Sequence, residues 1–296
     1  MIIIDSPKVM RDWSLQQRAK GTRVGCVPTM GALHDGHLSL VKASVESCDA
    51  TILTLFVNPA QFAPHEDFDQ YPRTFESDCA KCKAAGVDVI YAPKASSMYP
   101  EHYATYVEVE RLQEGLCGIM RPNFFRGVAT VVTKLFNATL PDKAFFGLKD
   151  RQQFTVIKRM ARDLDMGIDV VGLPTVREAD GLAMSSRNQY LSVEERTRAL
   201  CISKALFVAE AAMAQGETSA KTILHAVKTT LAKDVDEIDY VSLVDGNEMT
   251  PVTTINGPVM LAVAVQLGNT RLIDNIRFEP NIPASVKPAR EGSLSC

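Results

Sequence analysis

Short continuous apolar runs alternate along this chain with stretches whose apolar residues recur every three to four positions. The first pattern reads as buried strand and the second as amphipathic helix. Residues 24–27 and 50–57 are continuous apolar and β-branched runs, the kind buried on both faces of a parallel sheet. Strands are also predicted at 2–4, 87–91, 143–146 and 168–176. Helices are predicted at 6–20, closed by a left-handed cap at Gly21, and at 36–47, 74–85, 128–139 and from Gly147 to about 164. Such a rhythm predicts an α/β fold with a Rossmann-like parallel sheet and right-handed crossovers.

The texture changes near Ser192. Two long helices are predicted at 192–215 and 219–233, the first opened by a capping box of Ser192 and Glu195. Strands at 238–244, 259–265 and 270–278 then complete a second, smaller α+β unit. Residues 281–296, rich in Pro, Ser and charge, are expected to form a flexible tail. Residues 99–109 read as an extended excursion, and 112–127 as a loop whose Arg121 and Arg126 face anions or solvent.

Composition narrows the function classes. A chain of 296 residues with 46% hydrophobic content can bury a large core. Its net charge of -3 gives no general basic field, so nucleic acid is not an expected partner. There is no apolar run of membrane-spanning length and no basic region with a signal-length segment at the start, so no membrane partner and a cytoplasmic location are expected. The seven cysteines are scattered mostly in apolar patterns and read as reduced thiols. Cys79-Ala80-Lys81-Cys82 has no second pair at zinc-ribbon distance, and it lies in a predicted helix.

The chemistry concentrates at strand ends. Val27-Pro28-Thr29-Met30-Gly31-Ala32-Leu33-His34-Asp35-Gly36-His37 runs from strand through turn to helix. It places two of the chain's five histidines at a helix mouth, where free N–H groups and the dipole favour anions. A lone His-x-x-His is more often incidental, but the strand–turn–helix setting favours nucleotide phosphate. Beyond the next strand, Asn58 and Gln61 offer amides to a small polar substrate, although Asn-Pro is also a common turn. Lys149 and Asp150 offer an ammonium for phosphate and a carboxylate for ribose, with Gln153 one turn further on. As a bare pair they would be a solvated helix start. Ser185, Ser186 and Arg187, after Asp180-Gly181, form a plausible phosphate loop from an otherwise unspecific tripeptide.

Five segments in this order closely resemble the pantoate-β-alanine ligase (pantothenate synthetase) family. They are Pro28-Thr-Met-Gly-Ala-Leu-His-Asp-Gly-His37, Phe56-Val-Asn-Pro-Ala-Gln-Phe62, Glu66-Asp67 with Tyr71-Pro-Arg-Thr74, Phe146-Gly-Leu-Lys-Asp150 with Gln152-Gln153, and Asp180-Gly-Leu-Ala-Met-Ser-Ser-Arg-Asn188. The resemblance implies a Rossmann-like, nucleotidyltransferase-type domain over 1–175, a smaller α+β lid domain over 176–280, and a homodimer. It implies ATP-dependent condensation of (R)-pantoate with β-alanine to pantothenate, AMP and pyrophosphate through an enzyme-bound pantoyl adenylate. Mg²⁺ would travel with ATP, with no protein metal ligands assigned.

By the same resemblance, ATP would meet Met30, Gly31, Ala32, Leu33, His34, Asp35, Gly36 and His37, then Gly147, Leu148, Lys149 and Asp150, and finally Val176, Met184, Ser185, Ser186 and Arg187. The catalytic groups among these would be His34, His37, Lys149, Ser185, Ser186 and Arg187. Met30, Asn58, Gln61 and Gln153 would hold pantoate or β-alanine. Two positions depart from the family pattern: Leu148 stands where Glu is usual, and Asn123-Phe124-Phe125 where many members have Gly-His-Phe. Other readings are a His-x-x-His adenylyltransferase with a phosphate acceptor, a class I aminoacyl-tRNA synthetase, and a silent ATP-binding regulator. The amides at 58, 61 and 153 suit a carboxylate acceptor better than a phosphate, and the chain is too short for a tRNA-binding domain.

Overall fold

A computed structural model describes residues 1–64 and 66–280; the predicted tail, 281–296, lies outside them. The first sheet is built from β1 (Ile2–Ile4), β2 (Val24–Thr29), β3 (Ala50–Leu55), β4 (Val89–Tyr91), β5 (Lys143–Gly147) and β6 (Asp169–Leu173). These six strands are all parallel, in the order β1-β4-β3-β2-β5-β6. The order reverses between β2 and β5. In an open parallel sheet, such a reversal leaves a crevice beyond the C-terminal strand ends, which is where ligands bind.

Period-two alternation splits the strand side chains between two cores. Ile52, Val89, Tyr91 and Phe146 enter the core shared with α1 (Pro7–Ala19), α6 (Phe124–Thr139) and α7 (Arg151–Asp163). Their neighbours Leu53, Ile90 and Phe145 enter the core under α2 (Asp35–Ser47) and α3 (Phe75–Ala84). Helices on both faces explain why the strands read as continuous apolar runs. Two short helices, α4 (Ala95–Met98) and α5 (Cys117–Met120), lie in the excursion between β4 and α6.

The second sheet is antiparallel, with β7 (Glu237–Asp245), β8 (Val259–Leu267) and β9 (Thr270–Phe278) in sequence order. One of its faces carries Leu261, Val263 and Leu272 under α9 (Leu200–Ala214) and α10 (Ala220–Leu231). Its other face sends Val244, Met260 and Ala262 into the first core. The smaller unit is thus seated on the larger one by apolar packing, and Arg159 pairs with Glu248 across the junction at 2.6 Å.

Several predicted boundaries move. The expected helix at 192–215 divides into α8 (Val193–Arg198) and α9, although the Ser192–Glu195 capping box forms as expected. Helix α6 starts four residues earlier than predicted, because Gly127 serves close packing and not a loop. A Cβ there would come within 2.2 Å of the Ala60 carbonyl. The excursion at 99–109 stays outside both sheets. Lys149 and Asp150 sit in a 3₁₀ turn, Leu148–Asp150, ahead of α7 and not on the helix itself. Gly21 adopts the expected left-handed conformation, with φ 73°.

Candidate functional site

A cleft of about 1140 Å³ opens at the reversal point, between the C-terminal ends of β2 and β5 and the second sheet. Its nucleotide-like side begins with the turn after β2. Gly31 and Ala32 both take positive φ, a conformation that costs a non-glycine residue free energy. Asp78 of α3, buried to 1% exposure, holds that turn. Its carboxylate accepts from the Ala32 and Leu33 amides at 2.9 Å each and from Thr74 Oγ1 at 3.1 Å. Lys81 Nζ donates to the Leu33 carbonyl at 2.6 Å.

The turn delivers both histidines to the N-terminus of α2. His34 is the cap residue, and its Nδ1 accepts from the Gly36 amide at 3.1 Å; His37 Nδ1 accepts from the His34 amide at 3.4 Å. A neutral imidazole that accepts at Nδ1 carries its proton on Nε2, so each ring presents an Nε2–H donor. The ring centroids lie 4.1 Å apart. Burial pushes the His37 imidazole down to about 3, and His34, Lys149 and Lys81 add to that shift. Burial, with Lys149 next, also holds His34 below its ordinary value. Both rings are therefore neutral donors at pH 7, and the fixed positive charge comes from the lysines and the helix dipole. Gly36 lets His34 fold over it, since a Cβ would meet the ring at 2.8 Å.

Met30, His34, Gly36 and His37 line the cleft, while Gly31, Ala32, Leu33 and Asp35 lie outside its lining. Leu33 is a core residue, so this stretch serves the site through its backbone. From β5, Gly147, Lys149 and Asp150 line the cleft and Leu148 does not. The Leu148 side chain packs over Gly172, outside the lining of the cleft. Lys149 and Asp150 stand 3.9 Å apart.

Val176, Met184, Ser185, Ser186 and Arg187 form the opposing wall. Met184 donates its amide to the Val176 carbonyl at 3.0 Å. Arg187 is held bidentately by Asp67 at 2.8 and 3.0 Å, and Ser186 Oγ lies 3.2 Å from the Tyr71 hydroxyl. The segment after β3 thus reaches across to anchor this loop. Neither Asp67 nor Tyr71 was assigned a role from sequence, because each partner lies about 115 to 120 positions away.

Amides dominate the other end. Asn58 is 1% exposed. Its Nδ2 donates to Gln61 Oε1 at 3.0 Å and to the Gly127 carbonyl at 3.2 Å, and its Oδ1 accepts from Tyr99 Oη at 2.7 Å. Asn58 is consumed by the wall and orients Gln61. With its carbonyl occupied, Gln61 presents Nε2–H to the cleft side, where it lies 3.0 Å from Met30 Sδ. Gln152 and Gln153 both line the cleft, but Gln152 is buried and its amide is spent on tying down the 112–117 loop through Leu112, Gly115 and Cys117. Arg121, expected to face anions or solvent, meets a carboxylate of the protein itself: it forms a bidentate pair with Glu66 at 2.6 Å and stacks on Phe124 at 3.8 Å. Arg126 pairs with Glu108 at 3.2 Å.

Among the described residues no group of three or more His, Cys, Asp or Glu could hold a metal ion, and no helix is long and apolar enough to cross a membrane. Burial pushes the Cys82 thiol up to about 12, as in an inert core thiol.

A reversal-point cleft with a donor-rich helix mouth and a Lys-Asp turn on the neighbouring strand defines a Rossmann-like nucleotide-using α/β protein. The profile of the pantoate-beta-alanine ligase family matches residues 2–277, and the chain belongs to that family. A pantothenate synthetase from Sulfurihydrogenibium sp. (strain YO3AOP1) is 51% identical over 94% of this chain and all of its own. The solved pantothenate synthetase of Thermus thermophilus superposes with a TM-score of 0.89, at 41% identity, over 95% of this chain and 100% of that one. A pantoate-beta-alanine ligase from Francisella tularensis, solved with beta-gamma ATP and beta-alanine, gives 0.76 at 30% identity over 93% and 97% of the two chains. The activity is that of an ATP-dependent ligase that forms pantothenate.

Proposed function

We propose that the ligation runs through an acyl adenylate formed in this cleft. A pantoate carboxylate oxygen attacks the α-phosphorus of ATP, the α–β bridge breaks, and pyrophosphate leaves. The β-alanine amine then attacks the acyl carbon, and AMP departs with the attacking oxygen. Phosphoryl chemistry depends chiefly on positioning and charge stabilisation. His34 and His37 supply Nε2–H donors, and Lys149 a cation, on one side of the α-phosphate; Ser185, Ser186 and Arg187 supply donors on the other. Gly147, Asp150, Val176 and Met184 hold the nucleoside end. Gln61 and Gln153 hold pantoate beside Met30, and Asn58 acts through Gln61. The observation that carries this reading is the convergence on one cleft of donors from the ends of β2 and β5 and from the 184–187 loop.

Mg²⁺ would enter as the ATP chelate. The cleft-lining carboxylate of Asp150 fits an ion held mainly by phosphate oxygens and water, whereas both oxygens of Asp67 are taken by Arg187. The 176–191 segment is the part of the second unit that would act as a lid over a base fixed by apolar packing. A homodimer and a cytoplasmic location complete the reading. Pantoate labelled with ¹⁸O in its carboxylate provides the test. One label should appear in AMP; label confined to pantothenate, or ADP as the nucleotide product, would sink the adenylate route.

A further inference from the structure

The cationic turn and the phosphate loop leave the first sheet from different strands, yet both are tied to one dipeptide of β9. Neighbouring strand side chains point to opposite faces, so Asp274 and Asn275 reach in opposite directions. Asn275 is buried, and its Nδ2 donates to the Leu148 carbonyl at 3.0 Å and the Lys149 carbonyl at 2.8 Å. Two facing carbonyls settle which end of the amide carries nitrogen. Asp274, 3% exposed, accepts from Arg177 Nη1 at 2.7 Å and Nη2 at 3.1 Å. Arg177 Nη1 also donates to the Gly181 carbonyl at 3.1 Å, at the foot of the loop that carries Met184 to Arg187. The Asn275 backbone N–H donates to Asp274 Oδ1 at 2.8 Å, which fixes the Asp274 carboxylate against the backbone of the residue that carries the Asn275 side chain. The Leu148–Asp150 turn has no side-chain cap of its own.

We propose that Asn275 is a positioning residue for Lys149, and that Asp274-Asn275 sets the Lys149 turn in register with the Ser185–Arg187 loop. The inference rests on Lys149 being a nucleotide contact. Asparagine is suited to this place because it offers two hydrogens from one nitrogen. An Asp would turn lone pairs towards two carbonyl oxygens, and a Leu would leave both carbonyls without this donor.

A double-mutant cycle read by ATP titration provides the test. Loss of two hydrogen bonds that hold the turn should make Asn275→Ala bind ATP about tenfold more weakly, with pantoate affinity unchanged. In a Lys149→Ala background, the same change should add less than about twofold, because its effect passes through that lysine. Arg159→Met, which removes another tie between the two units, should leave ATP affinity as in the parent protein. Full additivity in the cycle, or an equal ATP defect in Arg159→Met, overturns the proposal and leaves the Lys149 contact standing. Unchanged ATP affinity in Lys149→Ala overturns that contact and the proposal with it. Asn275→Ser, which keeps a short polar donor, is the second variant should Asn275→Ala fail to fold; additivity there has the same meaning.

Discussion

The two ends of the cleft are built on different plans. The amide end is assembled before any substrate arrives: Tyr99 fixes Asn58, Asn58 fixes Gln61, and the close approach of Gly127 fixes the turn that carries both. The phosphate end draws on β2, β5, the 184–187 loop and β9, and it is held together by long-range contacts such as Arg187 with Asp67 and Asn275 with the Lys149 turn. A neutral acceptor site can be preorganised by neutral hydrogen bonds. A site for a polyanion must keep donors and cations close together, and each charge needs an outside partner to hold it in place. The difference predicts that damage at one end is felt mainly in chemistry, and at the other mainly in acceptor affinity.

The largest effect should come from His37→Ala. Removing one preorganised donor from the reacting phosphate should cut pyrophosphate release by about a hundredfold or more, while circular dichroism reports an intact fold. Near-normal release would erase the distinction between the two ends. At the amide end, Gln61→Ala or Gln153→Ala should raise the KM for pantoate roughly tenfold and leave that for ATP unchanged. Tyr99→Phe, which removes only the support of Asn58, should shift pantoate in the same direction by a few fold. Equal losses for both substrates would show that the ends are not separable.

The smallest effect is on stability. His37 takes a proton near 6.5 when unfolded and only at about 3 when folded. Below pH 6.5 the unfolded chain therefore binds more protons. The contribution of this group is complete above that pH and is lost as pH falls towards 3, by at most about 1.4 kcal/mol per pH unit. Urea midpoints measured from pH 7.5 to 5 should fall more steeply for the parent protein than for His37→Gln. Parallel slopes would place the neutral ring elsewhere.

Much of this was legible in the sequence. Strand runs, the Gly21 cap, the Ser192–Glu195 box and the two histidines at a helix mouth are local signals, set by side-chain period and by hydrogen bonds within a few residues. The motifs at 28–37, 146–150 and 180–188 marked three walls of the cleft for the same reason. What the sequence could not express were pairings across the chain: Asp78 beneath the Ala32–Leu33 turn, Asp67 on Arg187, Glu66 on Arg121, and Asn275 on the Lys149 turn. It also could not tell which cleft-lining amide has hydrogen bonds to spare, so Asn58 looked like Gln61. Burial decided that, and burial follows from how helices and sheets stack. The chain by itself determined which elements form and which chemistry they carry; the tertiary structure decided which groups are spent on holding the site and which remain free to act, because a polar side chain acts only through hydrogen bonds that packing has not already used.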